Sequence, residues 1–170
     1  ERPLGAKSSA TTPDLQRWRR TTWQHRGTRC VTAAMKLFKC QSCQQILYFE
    51  NDVCVKCGHK LGYVPEVASL SALEPEGDLW RALASPGVLY RFCTNAQQAA
   101  CNWLVDSTAA GSFCLSCRHN RTIPDLTIAD NLAHWQKIEI AKHRLFYSLL
   151  RLDLPLPTKV ESPENGLAFD

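Results

Sequence analysis

Eight of the nine cysteines fall into two groups, Cys40-x2-Cys43-x10-Cys54-x2-Cys57 and Cys93-x7-Cys101-x12-Cys114-x2-Cys117. A C-x2-C pair presents two sulfurs from one tight turn, and two such pairs close a tetrahedron of thiolates that suits zinc at about 2.3 Å per sulfur. The first group has two close pairs and is the stronger signal. Gly58, directly after its last ligand, suits a left-handed turn there. The second group has one close pair and one wide pair, and gains weight from its neighbour. All eight are taken as metal ligands, for two structural zinc ions. Iron also fits four thiolates, and the sequence does not separate the two.

Other chemistries are less well supported. Disulfides need an oxidising compartment, and no apolar run is long enough for a signal peptide or a membrane span, so the chain reads as cytoplasmic. A redox C-x2-C needs an exposed thiolate at a helix N-terminus, and neither Cys40/Cys43 nor Cys114/Cys117 precedes a helical pattern. His59 and His119 lie beside cysteines already sufficient in number and are read as outer or surface residues. His134 and His143 are nine apart, on opposite helix faces, and cannot share an ion. Glu139 and His143, four apart, read as an exposed helix-surface pair. The chain contains no His-Glu-x-x-His, the helix motif of zinc peptidases. No catalytic residue and no organic cofactor site is expected, and Cys30 is given no role.

The net charge of +4 is unevenly placed. Residues 1–34 carry seven basic and two acidic groups, which leaves −1 for the remainder. The cysteine-bearing part therefore offers no net positive surface to a polyanion, and nucleic acid is disfavoured as a partner.

These residues have to be positioned by the elements around them. Residues 1–34 lack apolar periodicity and read as a disordered basic leader, extraneous to the protein, with Met35 as the true start. Residues 35–64 read as short strands joined by metal knuckles, a zinc ribbon too small to fold on its core alone. Residues 65–92 read as a connector with a short helix at 78–84, capped by Asp78, whose Trp80 and Leu83 cover a zinc module. Residues 93–126 form the second four-cysteine module. The stripe Leu132, Trp135, Ile138, Ala141, Leu145, Leu149 and Leu152 predicts a long amphipathic helix over 127–152, capped by Thr127 or Asp130. Leu154-Pro155-Leu156-Pro157 ends it, and 153–170 reads as a linker. The fold class is α+β: a small zinc-ribbon β module, a second four-cysteine module and one long helix.

Several runs carry a resemblance: Lys39-Cys40-Gln41-Ser42-Cys43, Leu47-Tyr48-Phe49-Glu50-Asn51, Cys57-Gly58-His59, Leu70-Ser71-Ala72-Leu73-Glu74-Pro75, Tyr90-Arg91-Phe92-Cys93, Cys101-Asn102-Trp103-Leu104-Val105 and Asn120-Arg121-Thr122-Ile123-Pro124-Asp125-Leu126. Tyr147-Ser148-Leu149-Leu150-Arg151-Leu152 and Gly166-Leu167-Ala168-Phe169-Asp170 fit as well. From Met35 onward the text resembles a bacterial family of zinc-ribbon-containing proteins called putative zinc metallopeptidases. The resemblance implies the zinc-binding N-terminal region of such a peptidase, with residues 153–170 leading toward a catalytic domain absent from this chain. On that reading the chain is not itself an enzyme, and its partner is the missing peptidase domain. The alternative is a stand-alone zinc-ribbon module that binds a protein or nucleic acid.

Overall fold

The computed structural model describes residues 37–170. The leader, Cys30 and Met35 lie outside the described residues. The described residues are α+β, with two antiparallel sheets and one α-helix among them. β1 (Phe38–Lys39) and β2 (Ile46–Leu47) pair as a minimal ribbon around the first knuckle, Phe38 opposite Leu47. Five strands then run as a meander: β3 (Lys60–Val64), β4 (Ser69–Glu76), β5 (Leu79–Ala82), β6 (Leu89–Phe92) and β7 (Leu104–Asp106), each beside the next.

The sheet curls back on itself. Tyr63 of β3 bridges Trp103, just before β7, and its amide donates to the Asn102 carbonyl at 2.9 Å. First and last strands therefore meet, which shields edges that would otherwise be open to pairing. Gly62 permits this approach: a Cβ there would lie 2.7 Å from the Leu104 side chain. Any larger residue would displace the buried Leu104 side chain.

The middle of this sheet corrects the sequence reading of residues 65–92. The helix expected at 78–84 is absent, because 79–82 is strand β5, paired Trp80 to Pro75 and Ala82 to Leu73 on one side and Trp80 to Tyr90 on the other. Leu-Trp-Arg-Ala suits a helix locally, but the two-residue turn Gly77-Asp78, with Gly77 at φ +61°, makes a hairpin with β4, and pairing on both edges overrides local propensity. Leu83 does pack against the core that holds the cysteines, whereas Trp80 packs with Phe92 on the other side of the sheet.

Helix α1 (Ala129–Arg151) contains no glycine or proline. Its cap position is Ile128 rather than Thr127 or Asp130, with no side-chain cap. Asp125 instead organises the entry, accepting from the Thr127 amide and hydroxyl. The C-terminus closes with the Asp153 amide on the Leu150 carbonyl and the Leu154 amide on the Leu149 carbonyl, Asp153 being left-handed at φ +54°.

Residues 153–170, read as a linker, instead fold back on the domain. Phe169 bridges Asn120, its amide donates to the His119 carbonyl at 2.9 Å, and its ring meets Phe146. Arg121 pairs with Asp170 at 2.7 and 2.8 Å.

Candidate metal centres

The first centre is assembled from two turns of the same build. In one, the Gln44 amide donates to the Cys40 carbonyl and the Cys40 amide to the Gln45 carbonyl. In the other, the Gly58 amide donates to Cys54 and the Cys54 amide to His59, all at 2.8–2.9 Å. The residue after each second cysteine is left-handed, Gln44 at φ +62° and Gly58 at φ +75°. Only Gly58 signalled this in sequence.

These turns bring Cys40 and Cys57 sulfurs to 3.5 Å, and Cys43 and Cys54 to 3.5 Å. A disulfide requires about 2.05 Å, so the four are free thiols. The sulfur edge of a tetrahedron with bonds of about 2.3 Å is about 3.8 Å, so the cradle fits a zinc ion. A bond from the His59 backbone, aided by the neighbouring thiols, holds Cys57 down at about 6, which makes it a thiolate at neutral pH. His59 Nδ1 also lies 3.3 Å from Cys57 Sγ, outside the four-sulfur set. Gln41 fastens the cradle to the sheet, with Oε1 accepting from the Ala72 amide at 2.7 Å and Nε2 donating to the Leu70 carbonyl at 3.1 Å.

The second centre draws on more of the chain. Cys93 follows β6, Cys101 precedes β7, and Cys114 and Cys117 lie on the turn after it. The Cys93 amide donates to the Trp103 carbonyl, which holds the wide pair together through the sheet rather than through a knuckle. Cys101 and Cys114 sulfurs stand 3.7 Å apart, and all four lie within 4.8 Å of one another. Amides of Trp103, Cys114 and Cys117 donate to the sulfurs of Cys101, Cys93 and Cys114, each at 3.4 Å, as thiolates bound to a cation require. Burial, the largest influence on Cys114, raises its thiol, but bonds from Cys101, Cys117, Cys93 and His143 together hold it well below its ordinary value.

His143 was the residue the sequence reading misplaced. Glu139 and His143 are not an exposed pair: both are buried, and both face the second centre. His143 Nε2 lies 3.3 Å from Cys101 Sγ and 3.6 Å from Cys117 Sγ, and Glu139 Oε2 lies 3.5 Å from Cys117 Sγ. The buried face of α1 is Trp135, Glu139, Lys142, His143 and Phe146, whereas Ile138 and Leu145 of the expected stripe are exposed. His119, by contrast, meets no thiol. Its ring nitrogens face the Leu115 and Leu156 carbonyls and its ring lies against Phe146.

Between the centres lies a shared core in which Tyr63 meets Trp103 at 4.5 Å and Phe49 at 5.0 Å, and Tyr147 of α1 meets Phe49 at 5.1 Å. Cysteines of both groups belong to this same cluster.

Residues 37–128, both cysteine groups included, match the model of a zinc-ribbon domain. The chain belongs to the zinc-ribbon domain family. Past the zinc ribbon, residues 131–170 match the family described as "Putative zinc-binding metallo-peptidase". Uncharacterized proteins of Mycobacterium bovis and of two Mycobacterium tuberculosis strains are each 35% identical over 135 residues, covering 79% of this chain and 36% of the relative. The zinc-ribbon chain thus spans about a third of the length of those relatives. No solved structure matches it. Two four-cysteine groups within a zinc-ribbon domain fit two zinc ions. Four sulfurs around each would fill its coordination, so these ions would hold structure and leave no position for substrate.

Proposed function

We propose that this chain is the non-catalytic zinc-binding region of a zinc metallopeptidase, folding around structural zinc to support or present substrate to a catalytic domain. The observation that carries the reading is α1, which from residue 131 onward lies in the metallopeptidase match yet docks Glu139 and His143 onto the second centre of the zinc ribbon. Peptidase-family and ribbon segments therefore share one core, as a supporting region and its continuation would. The 170 residues contain no His-Glu-x-x-His, so hydrolysis would fall to residues other than these. Residence in the cytoplasm belongs to the same proposal. Among the described residues no helix is long and apolar enough to cross a membrane. The purified zinc-loaded chain, incubated with casein, should release no peptides. Chelator-sensitive hydrolysis would overturn the non-catalytic reading.

The second reading is a stand-alone zinc-ribbon module that binds a protein or nucleic acid. The balance of −1 beyond residue 34 weighs against a polyanion. A salt-sensitive mobility shift of single-stranded or duplex DNA by the zinc-loaded chain would favour it instead.

A further inference from the structure

The Glu139 carboxylate oxygen Oε2 lies 3.5 Å from the Cys117 sulfur, with both residues about 2% exposed. Among the described residues the cation bonded to Glu139 is Lys142, which pairs with the other oxygen, Oε1, at 2.7 Å, and Asn120 donates to that same oxygen at 2.9 Å. Oε2 is left facing this metal-binding sulfur, away from water, and a cation between the two would satisfy both.

The same spot supplies a third donor. His143 Nε2 is 3.6 Å from Cys117 Sγ, and the sulfur, the carboxylate oxygen and the imidazole nitrogen all lie within 4.8 Å of one another. For zinc bonds of about 2.3 Å to sulfur and about 2.0 Å to nitrogen and oxygen, tetrahedral edges are about 3.5 Å, which these separations match. His143, with Cys101, also lines a cleft of about 480 Å³.

We propose that Cys117, Glu139 and His143 bind a further divalent transition-metal ion, with the Cys117 thiolate shared between it and the four-cysteine zinc. The second centre is then binuclear, and α1 is a metal-binding element rather than a cover. The site differs from the two four-cysteine sites in donor set and in having three protein ligands.

The test is metal content of the zinc-replete, desalted chain, measured by elemental mass spectrometry. About three zinc ions per chain are expected, one for each donor group. Glu139→Gln and His143→Gln should each hold about two, with the helical circular dichroism of the parent. About two ions in the parent, or about three persisting in folded Glu139→Gln, would overturn the proposal and leave Glu139 a hydrogen-bonding partner of Cys117. Should the variants fail to fold, the cobalt-substituted parent decides. A thiolate shared by two Co2+ ions couples their spins, so the paramagnetic resonance intensity should fall as the last equivalent binds. An intensity that rises in proportion to cobalt through the final equivalent would overturn sharing.

Discussion

Gln41 shows how much a single side chain contributes to holding a metal module on a sheet. Its amide closes two backbone bonds of β4, and loss of the acceptor would leave the buried Ala72 N–H without a partner. Gln41→Ala should therefore cost about 1–3 kcal/mol in denaturant unfolding with zinc in excess. Cys57 yields a second prediction. Its thiol is lowered from 9.0 to about 6 while Cys40 and Cys43 are raised, so at pH 7 it is already ionised in the metal-free fold. The number of protons that zinc displaces on entering the first centre should therefore rise by about one as pH falls through about 6. Calorimetry in buffers of differing ionisation enthalpy reads the count. The eight cysteines were legible because metal-ligand spacing is local and explicit. Glu139 and His143 were not, since no spacing ties residue 117 to residue 143 and a buried acid and imidazole on a helix look like surface residues until the helix is docked.

Helix α1 illustrates the corresponding limit for an element. Its existence was readable from apolar residues recurring at three- and four-residue steps, but its inner face was not, because the rule that apolar residues face inward fails where the facing surface is a metal centre. Trp135 and Phe146 flank the polar residues that approach the thiolates, and the exposed Ile138 and Leu145 misled the reading. Strand β5 was missed for another reason: its identity is set by partners on both edges rather than by its own four residues. The end of α1 can be tested directly. Asp153 sits left-handed at a position where glycine is free of the side-chain penalty, so Asp153→Gly should stabilise the fold by about 1 kcal/mol, read as a raised denaturation midpoint.

For the whole molecule, two cysteine groups, a curled five-stranded sheet and one face of a helix meet in one aromatic cluster. The sequence predicted separate modules joined by a connector, and the α+β class with two four-cysteine groups was readable at that level. Their fusion was not, since it depends on Gly62 letting β3 reach β7 and on the register of a meander whose strands are individually short. The zinc content of the parent chain, Cys40→Ser and Cys93→Ser is the most direct measurement of the central claim. The account predicts at least two ions in the parent, a loss in each variant, and combined losses in the double variant. Fewer than two ions in the parent, or a variant whose zinc equals that of the parent, would contradict it.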